Sequence, residues 1–311
     1  MAIIMSSDML FLKTMLHYIR ERLRYFSLTS TTYFALREII NIGPFRGLWA
    51  LILQLKRERE YLGMSIHNAP HYYIPTTAKE VLYLLKYHKK NLELLLKFID
   101  INFIKGSRIL EIGPGNSLGL LYLLLKLGAR EVIGLQPDPI NPYLDKWIRK
   151  LLGIDDEAVG KKVKFIQVQA ESIPLPNESI DLAISFAVLE HVWDPIRVVR
   201  ELSRVTKQGG QGFHVIDLKD HRRTYNPLTH LTIHPRIYRL ARYFNKGLVN
   251  TLRCIDWIKI FQLHGFKVRV KRIFIDEEIP HEILVKIRRY YSHYTLNELK
   301  TSLCILHVVK F

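Results

Sequence analysis

Between residues 108 and 218 short apolar runs alternate with amphipathic stretches, and the two kinds of segment have different periods. The runs 108–112, 131–135, 163–168, 180–185 and 212–216 are short, apolar and of strand length. Helical spacing governs 117–127, 141–152 and 195–206. Strands that regularly alternate with helices predict a parallel sheet covered by helices on both faces, an α/β fold. Upstream, Leu12, Met15, Leu16, Ile19, Leu23 and Phe26 fall at helical spacing. Arg20, Arg22, Arg24, Lys56, Arg57 and Arg59 lie in the same region, which reads as helical to about residue 62. Pro70 and Pro75 interrupt that pattern before a second helical run over 77–99. The predicted organisation is a helical amino-terminal extension, 1–100, followed by an α/β domain, 101–311. Downstream, a polar, histidine-rich stretch over 217–250 breaks the rhythm. A helix at 255–264, a strand at 266–274, a helical segment at 280–300 and a closing strand at 302–309 complete the prediction.

Composition narrows the class. With 311 residues, 48% of them hydrophobic, the chain can bury a core of full domain size. The apolar stretch 47–55 is far shorter than the roughly 18 to 20 residues a spanning helix requires. Asp8 precedes the first basic residue, Lys13, which is not a secretory pattern. Cys254 and Cys304 lie far apart without metal-ligand spacing, so no disulfide is expected and a reducing, cytoplasmic setting is the simpler reading. The net charge of +17 is uneven: residues 1–110 carry +8, 111–220 carry −2 and 221–311 carry +11. Basic flanks can attract nucleic-acid phosphates, anionic lipid head groups or a pyrophosphate-linked substrate. A well-solvated basic surface explains them equally well.

The segment 109–119, ILEIGPGNSLG, is an apolar strand running through a glycine-rich turn into a helix. Glycines permit a sharp turn and close ligand approach at the carboxyl end of a strand, where open α/β sheets bind ligands. The pattern is neither GxGxxG nor GxxxxGK[ST], so phosphate cradling is not its natural use. Together with VIGLQPDP (132–139), QAESIPLPNESIDLAISFAVLEHVWDP (169–195) and RELSRVTKQGGQGFHVIDL (200–218), it resembles class I S-adenosylmethionine-dependent methyltransferases. The closest likeness is to the small-molecule methyltransferases.

That resemblance implies a Rossmann-like seven-stranded sheet, mostly parallel with the last strand antiparallel, and S-adenosylmethionine as cofactor. It implies that Glu111, Gly113 and Gly115 line the methionine end. Gln136 stands where the family carries an acid for the ribose hydroxyls, and Gln169 also replaces a common Asp. A neutral amide accepts hydrogen bonds more weakly than a carboxylate, so weaker cofactor binding is expected. Ala170 and Glu171 fall beside the adenine, while Ser185 and Phe186, followed by His191, fall near the reacting methyl group. Gly209 and Gly210 match a structural turn before the fifth strand. The stretches DLKDHRRTYNPLTHLTIHPRIYRL and NTLRCIDWIKIFQLHGFKV are similar to a subgroup linked with cell-surface polysaccharide biosynthesis. This implies that 217–250 is a lid over the acceptor, with Arg253 and Asp256 near its end. Helix capping is the alternative role of Asp256.

Methyl transfer mainly requires positioning, and an oxygen acceptor also profits from a general base. His221, His191 and Asp217 are the candidate catalytic residues, while His214, flanked by Phe213 and Val215, is expected to fill the core. His230 and His234 have i, i+4 spacing and with His221 suggest a metal, but no acidic ligand accompanies them, so no metal centre is expected. The expected partner is a small-molecule or glycan acceptor, extending by the subgroup likeness to a lipid-linked one with peripheral contact at the inner membrane face. Nucleic acid is not expected, because no RNA-binding module is recognisable. Two alternatives remain open: an RNA methyltransferase, favoured by charge, and a non-catalytic cofactor-binding protein, favoured by Gln136 and Gln169.

Overall fold

In the computed structural model, residues 78–221, 226–244, 247–275 and 278–311 are described. The helices expected before residue 63, with their basic stripe, lie outside the described residues. The first described helix, α1 (Ala78–Leu95), is followed by the short α2 (Ile101–Ile104) and β1 (Arg108–Ile112). Next come α3 (Gly119–Lys126), β2 (Glu131–Leu135), α4 (Pro142–Leu151), α5 (Asp156–Lys162) and β3 (Val163–Ile166). Then β4 (Ile180–Phe186), α6 (Pro195–Val205), β5 (Thr206–Asp217) and α7 (Pro235–Phe244) follow. The chain closes with α8 (Cys254–Leu263), β6 (Phe266–Phe274), α9 (His281–Tyr291), α10 (Leu296–Lys300) and β7 (Thr301–Lys310).

The seven strands form one sheet in the order β3-β2-β1-β4-β5-β7-β6. β1 to β5 run parallel, and β7 pairs antiparallel with both β5 and β6. This is the expected seven-stranded sheet, mostly parallel with the last strand antiparallel. Strand alternation sorts residues to two cores. On one face Leu110, Ile112, Ile133 and Leu135 pack with Val198, Leu202, Trp257 and Phe261 of α6 and α8. On the other, Ile109, Val132, Leu182 and Ile184 pack with Leu120, Leu121 and Leu124 of α3 and with Val81 and Leu85 of α1. Each such apolar side chain stabilises the fold by about 2 kcal/mol on burial.

Several local predictions are refined. The glycines at 209 and 210 form no separate turn; they lie within β5, where its pairing with β4 shifts register between Ile180 and Leu182. Gly209 takes a φ of +72°, which relieves strain in that irregularity. The segment expected as one helix at 280–300 is two, separated where Thr295 begins a capping box with Glu298. α2 and α5 have too few apolar repeats to show a period and were not expected. β6 lies at the sheet edge, and Lys267, Arg269 and Lys271 along it discourage further strand pairing.

The two cysteines are not separate thiols. Cys254 at the start of α8 and Cys304 in β7 are joined as a disulfide with a Cα–Cα distance of 5.5 Å. Their 50-residue separation is closed because α8 packs on the sheet beside β7, a contact that cysteine spacing cannot reveal. Cross-linking a loop of that size stabilises by about 4 kcal/mol. The Cys254→Ala/Cys304→Ala variant should therefore melt several degrees lower by calorimetry. An unchanged melting temperature would show that the bond adds no stability.

Candidate active site

Open α/β sheets place ligands where strand order reverses, at the carboxyl ends of the strands. Here β1 has β2 on one side and β4 on the other, so the reversal lies at Ile112 to Gly115. Gly113 and Gly115 have φ values of +70° and +79°, a left-handed conformation that side chains with a Cβ rarely adopt. A Cβ at Gly113 would meet Val188 Cγ2 at 2.4 Å, so the turn after β4 is packed directly on the glycine turn. A Cβ at Gly115 would meet nothing within 4 Å. One glycine therefore permits chain packing, and the other borders open space.

The turn is braced from several sides. Gln136 Oε1 accepts from Gly115 N at 2.7 Å, and its Nε2 donates to Gly115 O and Asp138 O, both at 2.9 Å. The amide is thus engaged with backbone groups, and its observed role is to lock the turn. A carboxylate could not donate to Gly115 O, which gives the glutamine a physical reason. Asp145 in α4 accepts from Leu118 N at 2.8 Å and from Tyr122 Oη at 2.5 Å, which holds the start of α3. From α1, His88 Nε2 lies 3.0 Å from Ser117 Oγ. Burial lowers that imidazole to about 4, so it is neutral there.

Glu111 is buried in β1 and its Oε2 has no hydrogen-bond partner. Burial pushes its carboxyl up to about 8. An orphan buried carboxylate oxygen beside an open glycine suits a ligand with a cationic amino-acid end, as S-adenosylmethionine has. The sign of the linkage follows from the raised value. Unfolded chains lose this proton near 4.5 and the folded, ligand-free protein near 8, so that protein loses stability as pH rises between those values. A cationic ligand favours the ionised carboxylate and must displace the proton below about 8. Cofactor affinity should therefore rise with pH by up to about tenfold per unit towards pH 8 and flatten above it. Glu111→Gln should remove that slope in calorimetric titrations, and an unchanged slope would remove Glu111 from the site.

Other expected cofactor residues have defined positions. Ala170 is buried in the loop after β3. Glu171 Oε1 accepts from Trp193 N at 2.9 Å and Asp194 N at 3.2 Å, joining that loop to the entrance of α6. Phe186 packs its ring 5.7 Å from Phe213. Ser185 is fully buried, with Oγ 2.9 Å from His214 Nδ1. His214 stacks on Phe261, and burial lowers it to about 3, so it is a neutral core histidine.

At the ends of β4 and β5 a polar cluster forms. A single turn of 3-10 helix, Leu189–His191, follows β4 and presents Glu190 and His191. The ring centroids of His191 and His221 are 5.0 Å apart. His221 Nε2 lies 3.4 Å from Asp217 Oδ2 and 3.9 Å from Glu190 Oε1. Burial raises Asp217, but His221 and Lys219 outweigh it and hold the carboxyl below its usual range. Burial, aided by the charge of Asp217, pushes Glu190 well above the usual range. The sequence pointed to His191, His221 and Asp217; Glu190 was missed, although its place beside His191 was the available signal.

The segment between β5 and α8 holds the backbone of this cluster. Asn250 N donates to Glu190 O at 2.6 Å and Asn250 Nδ2 to Leu189 O at 3.0 Å, while Arg242 Nη2 donates to Val192 O at 2.7 Å. Arg253 and Asp256 have other duties. Arg253 is fully buried and donates to Leu218 O and Leu299 O at 2.8 Å and to Glu298 O at 3.3 Å, with a further close contact to Thr301 O. Asp256 Oδ2 accepts from Arg253 N at 2.7 Å as a helix cap and also contacts Tyr294 Oη. Asp256 thus takes the capping role, while Arg253 ties the start of α8 to the tail of β5, α10 and β7. His230 is buried near Tyr238, and His234 packs on Tyr290 and accepts from Arg236 N.

Residues 110–213 match the family model described as a methyltransferase domain. The match runs from β1 into β5 and includes the glycine turn. A probable S-adenosylmethionine-dependent methyltransferase of Mycobacterium tuberculosis is 35% identical over 74 residues, 24% of this chain and 26% of that protein. The ubiquinone biosynthesis O-methyltransferase of Aliivibrio fischeri is 30% identical over 117 residues, 37% of this chain and 45% of that one. The chain thus spans about a quarter to under half the length of these curated relatives. Among solved structures, the YcgJ protein from Bacillus subtilis aligns with a TM-score of 0.46 at 18% identity, covering 72% of this chain and 99% of that one. Among the described residues, no helix is long and apolar enough to cross a membrane.

Proposed function

We propose that the protein is a S-adenosylmethionine-dependent methyltransferase acting on a hydroxyl oxygen of a small molecule or glycan. The observation that carries this reading is the juxtaposition of two sites. The Glu111–Gly115 turn suits the cofactor's amino-acid end, and the His191–His221–Asp217 cluster follows a turn whose Val188 packs directly on Gly113. When bound, the cofactor supplies an electrophilic methyl group on a sulfonium. Glu111 holds its amino end, and the turn locked by Gln136 fixes its position. Ala170 and Glu171 border the adenine side, and Ser185 and Phe186 support the wall after β4. His221, oriented by Asp217, is the first receiver of the acceptor's proton, with His191 against its ring. An imidazole has one ring nitrogen that accepts a proton while the other can donate to a carboxylate, which suits that step.

The likeness of the lid to the polysaccharide subgroup and the net charge of +17 support an anionic or lipid-linked glycan, met at the inner face of a membrane. The same charge favours RNA as the rival acceptor. Transfer of a labelled methyl group into fractionated cell extracts separates them. Label in the glycan or lipid-linked fraction supports the reading. Label confined to RNA overturns the acceptor class, and saturable cofactor binding without label in any fraction overturns turnover.

A further inference from the structure

We propose that Glu190, His191 and His221 form a binding site for one divalent transition-metal ion at the acceptor end of the crevice. Each residue offers a ligand atom, and the three atoms lie within 4.8 Å of one another. The chemistry is that of two imidazoles and one carboxylate, a donor set that suits zinc, manganese, iron(II) or cobalt.

The second observation is the state of Glu190. It is 1% exposed, and neither carboxylate oxygen has a hydrogen-bond partner. The His221 ring stands 3.9 Å from it. A carboxylate so enclosed is costly unless a proton, a close partner or a metal ion compensates it. Ligands on one zinc at about 2.1 Å stand roughly 3 to 3.5 Å apart, so side-chain rotation alone can close the present spacing. His221 has the freedom for it, with a side chain 29% exposed. Asn250 N holds Glu190 O, Arg242 reaches His191 O at 3.5 Å and Val192 O at 2.7 Å, and Asp217 stands beside His221 to fix its ring. Exposure on the His221 side leaves coordination positions open, as in metal sites that receive a substrate.

The consequence of the ion rests on the methyltransferase reading, whereas its binding does not. An ion on His221 occupies the lone pair that would otherwise receive the proton. The ion's charge then favours the ionised acceptor oxygen in its stead, with the proton leaving to water. Oxygen forms its bond to the methyl carbon as the carbon–sulfur bond breaks, and sulfur keeps that pair.

The test uses full-length protein, stripped with chelator and titrated with Co2+, read by calorimetry and by visible ligand-field absorption. One ion per chain is expected. Glu190→Gln and His221→Ala should each weaken binding at least tenfold and alter the spectrum, while His234→Ala should leave both unchanged. Glu190→Gln preserves side-chain shape and His221→Ala changes a partly exposed group, and circular dichroism confirms that each is folded. Absence of saturable binding, or binding indifferent to both variants, overturns the site. Cofactor titration of the same samples separates the two readings: intact cofactor binding without metal rejects the ion alone, and metal binding without cofactor rejects the methyltransferase reading alone.

Discussion

Replacing His221 by alanine should lower single-turnover methyl transfer by about a hundredfold or more while cofactor affinity stays near that of the unaltered protein. The split follows from placement. His221 stands beyond the end of β5, 3.4 Å from Asp217 and with its ring centroid 5.0 Å from that of His191. The cofactor's amino-acid end is assigned to Glu111 and the glycine turn. The loss is expected whether His221 takes the proton itself or holds an ion. His191→Ala should behave alike, because its ring abuts the same acceptor position. Asp217→Asn keeps the shape but removes the charge that orients His221, so a smaller fall is expected. Quenched-flow measurement with saturating cofactor reads these rates directly. Near-normal rates in both histidine variants would mean that positioning alone drives transfer.

Arg253→Ala should destabilise the protein by about 3 to 5 kcal/mol, enough to lower its melting temperature by ten degrees or more. Its guanidinium meets four backbone carbonyls from three parts of the chain: the tail of β5, the end of α10 and the start of β7. Burial lowers this guanidinium to about 10, so it remains charged at neutral pH. Truncation leaves those buried acceptors without their donor and opens a cavity, two costs that add. Arg253→Lys should recover little, since one ammonium cannot reproduce the planar fork. Thermal unfolding with calorimetric readout checks this, and a shift below about two degrees would show that water satisfies the carbonyls.

The parallel part of the sheet was legible because its strands are short apolar runs bounded by turn residues, as in Ile109 to Ile112 before Gly113. The glycine turn after β1 was legible for the same reason, through glycines at fixed offsets from a strand end. Side-chain duties were less accessible. Gln136 reads as a weakened ribose contact, yet its amide faces Gly115 and locks the turn. Arg253 and Asp256 read by likeness as residues near the lid's end, whereas folding buries Arg253 against β7 and α10 and sets Asp256 as the cap of α8. Cys254 and Cys304 meet only after α8 packs on the sheet. Glu190 was hidden by the apolar residues around it, and only the convergence of the β4 and β5 ends gives it partners. Each miss depends on contacts over 20 or more residues or on side-chain direction, neither of which has a period to read.

Calorimetric titration of S-adenosylmethionine into the full-length protein at pH 7 tests the central claim most directly. The account predicts one saturable site per chain, with a heat that varies with the ionisation enthalpy of the buffer as Glu111 releases its proton. In Glu111→Gln that buffer dependence should vanish and affinity should fall. Absence of saturable binding by the folded, unaltered protein would contradict the account.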